Sequence, residues 1–306
     1  MKKLIMTVSP HFFSKTTTQR IMLDVIIALF PAVIASVINF GLRSLLVIGV
    51  CVAVCVLSEW IFEKICKKES TISDLSAVVT GILLAFNLPV SIPLWQAVVG
   101  CLVAIVIVKQ LFGGIGQNFA NPAIAARIVM LTAFSGSMTT WTFPDAVTGA
   151  TPLALISKGE LGSLPSYIDM FLGRHGGCLG ETCILALLLG GIYLLFRRVI
   201  SWYTPVAFIG TVAVMSLLCG YDVLYQLMGG GLVLGAFFMA TDYATTPATK
   251  WGKIIFGVGC GLITVLIRFW GNFPEGVSFS ILLMNILTPY ISKLTRQKPL
   301  TGGVGK

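Results

Sequence analysis

Charged residues are scarce in this sequence of 306 residues: they make up 11% of the chain, against 56% for hydrophobic residues. Soluble domains carry about a quarter charged residues, and the mean hydropathy of this chain is +0.93. So large an apolar surplus with so few charges excludes a soluble globule, and with it secreted, nuclear and cytosolic proteins. Apolar runs near the ~20 residues that a helix needs to cross the hydrocarbon core of a bilayer recur along the chain. The composition therefore predicts an all-α polytopic membrane protein.

Several familiar motifs are also missing. There is no CxxC and no Cys/His pair with zinc spacing, so we predict no metal site, and most of the eight cysteines lie in apolar runs as small hydrophobes. Cys178 and Cys183 flank a loop, where they either pair or stay reduced. No NAD-binding or ferredoxin-binding motif is present. No short apolar segment with a small-residue cleavage site follows Lys2, Lys3 and Lys15, so the first apolar segment is predicted to be a retained helix.

Ten apolar segments, in two groups of five, are predicted to be the transmembrane helices. The third, fifth and eighth are short, which leaves half-helices possible there. The predicted spans are residues 21–39, 44–62, 74–88, 93–112 and 121–137, then 179–196, 202–219, 228–240, 254–270 and 277–291.

The basic residues divide unevenly between the two sides of this ten-span arrangement. With both termini in the cytoplasm, 17 of the 21 basic residues fall on the cytoplasmic side, and only Arg43, Lys158, Arg174 and Arg268 lie outside. Lys and Arg gather on the cytoplasmic side of membrane proteins. Topology thus accounts for most of the net charge of +9 without a nucleic acid or another anionic partner.

The two groups of spans resemble each other. Residues 81–93 and 235–247 both begin with Gly and end with Pro, and residues 101–109 and 260–268 both begin with Cys and end with a basic residue. Five spans per repeat is an odd number, so the halves must face opposite ways across the membrane. Inverted repeats of this kind place functional sites near their interface.

This repeat divides the chain into a first five-span repeat (1–137), an extracytoplasmic loop (138–178), and a second five-span repeat with a cytoplasmic tail (179–306). The loop is the longest polar connection and is rich in Gly, Pro, Ser and Thr. Long connections of this kind are often functional. We therefore look for chemistry there first.

The loop contains Asp145, Thr148, Gly149, Ala150 and Thr151 in the pattern Asp-x-x-Thr-Gly-Ala-Thr. On the residues alone, such a turn usually does no more than hydrogen-bond its own backbone. The spacing, however, resembles the flavinylation motif of the NqrB/RnfD family of redox-driven ion pumps. The resemblance implies FMN bound to Thr151 through a phosphoester and attached by a flavin transferase, with the other four residues as recognition positions.

A second stretch resembles the same family. Gly113 and Gly114 open a connector that also carries Asn118 and Asn121. One interpretation is a glycine-rich turn in which Asn121 caps the fifth span. The resemblance implies instead that the glycines and amides of this connector contact a non-covalent riboflavin near the cytoplasmic side.

The segment 241–247 breaks an apolar run with Asp242, three threonines and a proline. A polar break at membrane depth must be satisfied by protein, water or ligand. We expect Asp242 to line the riboflavin site or an ion path, or the segment simply to cap the ninth span.

The remaining ionisable residues in or near the spans have two interpretations each. Asp24 and Glu59 could take part in ion movement, but both lie near a predicted cytoplasmic end, where snorkelling to the interface is the favoured prediction. Lys109, Arg127 and Arg268 either balance the charge of a reduced flavin or anchor helix ends.

Taken over essentially the whole chain, the resemblance implies a membrane flavoprotein subunit of a prokaryotic Rnf-type complex. Such a complex moves electrons between reduced ferredoxin and NAD, coupled to Na⁺ or H⁺ transport across the cell membrane. The implied partners are iron–sulfur and flavin subunits, including a second subunit with covalent FMN, and they supply the NAD site that this chain lacks. With almost no N-terminal extension, the chain is more similar to the shorter branch of the family than to the longer NqrB branch.

Two other classes remain open on the residues alone. A small-solute channel or secondary transporter would fit an inverted repeat equally well, and so would an accessory membrane scaffold without cofactors. The loop motif argues against the transporter, because a plain channel has no use for it. A visible flavin spectrum in the purified protein separates both alternatives from the redox function.

Overall fold

The computed structural model describes residues 16–142, 148–271 and 276–296, which form helices joined by turns and one short pair of strands. Two of the helices, α4 (Leu94–Leu102) and α12 (Leu232–Leu234), continue without a break as π-helices that end at Gln110 and Met239. The helices are α1 (Thr18–Phe40), α2 (Leu42–Ile65), α3 (Ser76–Phe86), α4 (Leu94–Leu102), α5 (Pro122–Ala133), α6 (Ser135–Met138), α7 (Pro152–Lys158), α8 (Tyr167–Leu172), α9 (Ile184–Phe196), α10 (Tyr203–Leu218), α11 (Val223–Met228), α12 (Leu232–Leu234), α13 (Lys250–Trp270) and α14 (Val277–Leu294).

Four of these helices, α1, α2, α13 and α14, are long and apolar enough to cross a membrane, and five shorter apolar helical segments accompany them. Each of the ten predicted spans overlaps a helix, although the eighth shrinks to residues 232–239. The outer surface exposes large apolar side chains such as Ile38, Phe196 and Leu294. The all-α polytopic membrane class predicted from the composition is confirmed.

Polar caps set the start of several helices. Thr17 Oγ1 accepts the Arg20 N–H at 3.3 Å at the start of α1, and Thr249 Oγ1 accepts the Gly252 N–H at 3.1 Å at the start of α13. Asn121 Oδ1 accepts the Ala123 N–H at 3.1 Å, ahead of a proline at the first helical position of α5. Each cap satisfies a backbone donor that has no partner within its helix.

The helices pack as neighbouring pairs around one buried core. α1 lies against α9, α2 against α3, and α10 against α13, which in turn packs on α14. Glycine allows close contacts in these pairs: a Cβ at Gly81 would lie 2.8 Å from Val52 Cα, and one at Gly257 would lie 2.7 Å from the Thr204 carbonyl oxygen.

The two short helices at matching places in the proposed repeat meet end to end. Asn87 follows α3, and its Nδ2 donates to Met239 Sδ, at the end of the π-helix that continues α12, at 3.7 Å. The segment that leads into α9 folds against the same end of α3, since the Gly180 N–H donates to the Phe86 carbonyl at 3.1 Å. The ends of helices, rather than continuous helices, therefore meet at this place.

The connection between the halves carries short elements of its own. Strands β1 (Trp141–Thr142) and β2 (Thr148–Gly149) pair antiparallel, and α7 and α8 follow them. Cys178 and Cys183 are both reduced, and Cys178 Sγ donates to the Asn87 carbonyl at 3.3 Å. The possible pairing of these two thiols is therefore not formed.

Candidate functional site

A cavity of about 800 Å³, counting the space at its open mouth, lies where the two halves of the chain meet. Most of its wall is apolar, with side chains from α1, α3 and α9 and from the π-helix that follows α12. The polar residues of the wall come from both halves: Ser76, Thr80, Lys109, Asn118 and Asn121 from the first, and Thr241 and Asp242 from the second.

Two of the predicted amides line this cavity. Asn121 does so while its side chain caps α5, so the capping interpretation is confirmed. Asn118 is half-buried, and its Oδ1 is buried with no hydrogen-bond partner among the described residues. A buried amide oxygen without a donor costs about 1–3 kcal/mol, so this atom needs a water or a ligand N–H.

The two predicted glycines of the same connector lie outside the cavity wall. Gly113 and Gly114 adopt φ values of 120° and 98°, which turn the chain sharply after the π-helix. Neither contributes to the cavity wall, whereas Gly116 does. The structure thus brings Asn118, Asn121 and Asp242 together and leaves the two predicted glycines outside the wall.

Asp242 reaches the cavity from the polar break between α12 and α13. Its carboxylate accepts a hydrogen bond from Thr245 Oγ1 at 3.1 Å and a longer one from the Ala244 N–H at 3.5 Å. The capping role in this segment falls to Thr249 instead.

A buried ion pair borders the cavity through Lys109. Lys109 is 2% exposed and Glu59 is 0% exposed, and Lys109 Nζ lies 2.7 and 2.8 Å from the two Glu59 carboxylate oxygens. The third ammonium hydrogen points to Ser76 Oγ at 2.6 Å, and Gln110 Nε2 donates to Glu59 at 2.9 Å. Every donor of the ammonium is used within the protein, so the pair fixes α2 against the end of the fourth span.

The prediction that Glu59 and Asp24 snorkel to the interface is wrong for both residues. Asp24 is only 8% exposed and accepts hydrogen bonds from Tyr193 Oη at 3.1 Å and from the Arg197 guanidinium at 3.1 and 3.2 Å. Each carboxylate pairs with a basic residue distant in sequence, which supplies the counter-charge that its burial requires.

Arg127 and Arg268 are also buried, and both donate hydrogen bonds to neutral groups. Arg127 donates to Asn87 Oδ1 at 2.8 Å and to Ser278 Oγ at 3.1 Å, which ties α5 to α14. Arg268 donates to the Gln226 carbonyl at 2.6 Å and to the Gly229 carbonyl at 2.9 Å. For these arginines the anchoring interpretation describes the contacts.

The predicted attachment residue begins a helix. Thr151 is 5% exposed, and its Oγ1 accepts the Ala154 N–H at 3.3 Å as the cap of α7. Thr148 and Gly149 form β2, and Ala150 is half-buried. Asp145 lies outside the described residues.

A second pocket, of about 570 Å³, lies beside α7 and is lined by Leu153, Ser157, Gln226 and Arg268, among others. The backbone before α12 approaches it closely, because a Cβ at Gly230 would lie 2.8 Å from Arg268 Nη2 and 2.7 Å from Leu153 Cδ1.

The cavity and the Thr151 region lie at opposite ends of α13. Lys253 shares a groove with the cavity residues Thr241 and Tyr243, whereas Arg268 lines the pocket beside α7. These two residues are fifteen positions apart on one helix, or about 22 Å at 1.5 Å per residue.

The protein is a multi-pass α-helical membrane protein. Its apolar helices expose large apolar side chains on the outside, a partly polar cavity lies between its halves, and a buried ion pair borders that cavity. The sequence model of the NQR2, RnfD, RnfE family matches residues 5–301 of the chain. The chain belongs to this family.

Three relatives are similar over nearly their whole length. The chain is 50% identical over 305 residues to the D subunit of the Na⁺-translocating ferredoxin:NAD⁺ oxidoreductase complex of Acetobacterium woodii, covering 97% of this chain and 96% of that one. It is 43% identical over 320 residues to the D subunit of the proton-translocating ferredoxin:NAD⁺ oxidoreductase complex of Clostridium ljungdahlii, with 97% and 96% covered. Identity to the D subunit of the ion-translocating oxidoreductase complex of Stutzerimonas stutzeri is 37% over 330 residues, with 93% and 92% covered.

Proposed function

We propose that this chain is the membrane-embedded D subunit of an ion-translocating ferredoxin:NAD oxidoreductase complex of the Rnf type. In this role it relays electrons through covalent FMN on Thr151 and a non-covalent riboflavin. The single observation that carries the proposal is the similarity, along nearly the whole chain, to subunits whose names give this function. Na⁺ and H⁺ both occur in the names of these relatives, so the coupling ion is left open.

The cavity between the halves is the proposed riboflavin site. Its mostly apolar wall, with a few polar side chains from both halves, suits a flat aromatic ring system, because small-molecule sites commonly have such a lining. The buried Asn118 Oδ1 needs a donor, and the imide N–H of a flavin ring is of the right kind. When bound, the flavin would supply one- and two-electron redox chemistry, while the protein supplies position and electrostatics.

Thr151 is the proposed attachment residue for FMN. Its Oγ1 already accepts the Ala154 N–H and still carries its own proton, which the phosphoester bond would replace. The adjacent pocket offers space beside α7, and Arg268 and Gln226 line it. These residues suit a ligand that carries both a phosphate and a polar ring edge. The family resemblance implies both the flavin transferase that would form the bond and the partner subunits.

The chain's own residues would position the two flavins at separate sites. The mostly apolar wall of the cavity limits contact between a bound ring and water, and the Lys109–Glu59 pair beside it leaves no uncompensated charge there. Lys253, beside the cavity, and Arg268, beside α7, lie about 22 Å apart along α13, so a partner subunit would be expected to contribute to electron transfer between the two sites.

Replacing Asn118 by Leu is expected to remove most of the non-covalent flavin, because the leucine offers no acceptor to the imide N–H. An unpaired buried donor costs about 1–3 kcal/mol, which corresponds to roughly tenfold or more in affinity. The measurement is flavin released on denaturation of the purified protein, separated by chromatography. Gln117→Leu is the matched control, since Gln117 is exposed and does not line the cavity. Equal flavin release from both variants would remove the support for this cavity as the site.

A further inference from the structure

A basic groove opens beside the central cavity, at the ends of α1 and α9. One pocket is lined by Arg20, Arg197 and Arg198, together with Asp24 and Tyr243. A second pocket shares Arg198 and Tyr243 and adds Lys253. We call the two pockets together the basic groove. It gathers four cations and one carboxylate, so its net charge is positive.

Only one of these cations is neutralised within the described part of the chain. Arg197 pairs with Asp24 at 3.1 Å. The exposed side chains of Arg20 and Arg198 have no acidic partner among the described residues. Lys253 Nζ donates to Ser201 Oγ at 3.0 Å, which orients the ammonium without compensating its charge. Phosphate oxygens are acceptors that match such a cluster of donors.

The apolar side chains around the groove indicate the kind of molecule to which a bound phosphate would belong. Phe196 is 87% exposed next to Arg197, and Leu23, Ile27 and Ile192 are about half exposed on the flanks of α1 and α9. A charged groove thus continues directly into an apolar surface. A soluble phosphate compound would have no use for that apolar surface, whereas a phospholipid needs both parts.

Two exposed tryptophans close in sequence to groove residues indicate that the groove lies at the membrane interface. Trp202 precedes α10 and is 55% exposed, and Trp251 in the first turn of α13 is 72% exposed. Trp and Tyr collect at the level of the lipid headgroups, and Lys and Arg collect on the cytoplasmic side. Basic pockets between helices on that side bind anionic headgroups.

We propose that the basic groove binds the headgroup phosphate of an anionic phospholipid, whose acyl chains lie on the exposed flanks of α1 and α9. This proposal does not depend on the flavin assignment, because its residues and ligand are different.

The groove also shares a wall with the central cavity. Val199 and Tyr243 line both, and the Tyr243 hydroxyl donates to the Val199 carbonyl. A headgroup seated in the groove would hold this wall in place. We therefore expect the bound lipid to slow the release of a ligand from the cavity.

The test is native mass spectrometry of the purified full chain, first delipidated and then mixed with vesicles of phosphatidylcholine containing or lacking phosphatidylglycerol. The wild-type protein should retain phosphatidylglycerol selectively. The Arg20→Gln/Arg198→Gln double variant should bind it about thirtyfold more weakly, from about 1 kcal/mol per cation at the membrane surface. Lys67→Gln/Lys293→Gln removes the same charge from exposed residues outside the groove and should bind as the wild type does.

Three results would overturn the proposal. Equal retention of both lipids by all variants would mean that the lipid is only annular. Displacement of phosphatidylglycerol by inorganic phosphate alone, at the affinity of the lipid, would assign the groove to a free phosphate compound. In the complex purified with its partner subunits, loss of a subunit from the Arg20→Gln/Arg198→Gln variant, with lipid retention unchanged, would assign the groove to a protein contact.

Discussion

Changing Thr151 to Ala is expected to abolish covalently bound FMN, so that the denatured protein band loses its flavin fluorescence entirely. The proposed phosphoester needs the hydroxyl oxygen of this residue, and alanine has none. Thr151 also caps α7, and loss of such a cap costs about 1 kcal/mol. The variant should therefore still fold and insert, which separates loss of attachment from loss of protein.

Two further variants sharpen this experiment. Thr140→Ala removes an exposed hydroxyl from the same connection between the halves, and its band should stay fluorescent. Thr151→Ser keeps a hydroxyl at the position and should retain at least part of the signal. A Thr151→Ala band as bright as that of the Thr140→Ala control would show that the flavin is attached elsewhere.

Replacing Lys109 by Met is expected to lower the free energy of unfolding by about 3–5 kcal/mol, because it leaves the Glu59 carboxylate buried without its counter-charge. The two side chains are 2% and 0% exposed, so water cannot replace the lost partner without a change in packing. Thermal unfolding in detergent, or the yield of monodisperse protein, measures the effect.

The second variant of this series is Lys109→Met/Glu59→Gln, which removes both charges. We expect it to recover much of the lost stability, because a neutral pair avoids the cost of an unpaired buried charge. Lys293→Met removes an exposed base and should change the free energy of unfolding by less than about 0.5 kcal/mol. If the double variant were no more stable than Lys109→Met alone, the ion pair would not be the source of the loss.

The positions of the long helices can be predicted from the sequence, because each depends on a continuous apolar run. The second span is predicted at residues 44–62, and α2 extends a few residues beyond both ends. The eighth span is predicted too long, since the glycines before α12 delay its start to Leu232. Apolar composition marks a membrane segment but does not mark where the helix within it begins.

The apolar pattern does not predict the short helices α7 and α8, although local signals for them exist. Thr151 is followed by Pro152, a cap with proline at the first helical position, and Gly159 ends the helix in the left-handed conformation. Ser166 caps α8 by accepting the Asp169 N–H at 3.2 Å. These signals occur in a polar stretch, where no apolar period draws attention to a helix.

The burial of Glu59 and Asp24 cannot be predicted from their own neighbourhoods in the sequence. Lys109 is 50 residues from Glu59, and Arg197 is 173 residues from Asp24. Only the folded arrangement brings each pair together. In contrast, the family resemblance predicts that the amides of the connector contact a ligand, and for Asp242 a ligand site is one of the predicted alternatives. All three residues line one cavity.

The most direct test of the account is the flavin content of the purified chain, isolated from cells that also make the flavin transferase. We expect each chain to release one riboflavin on denaturation. The peptide spanning residues 138–178 should be heavier by one FMN less one water, with the added mass on Thr151. An unmodified Thr151 peptide together with no released flavin would contradict the proposal that this protein carries electrons.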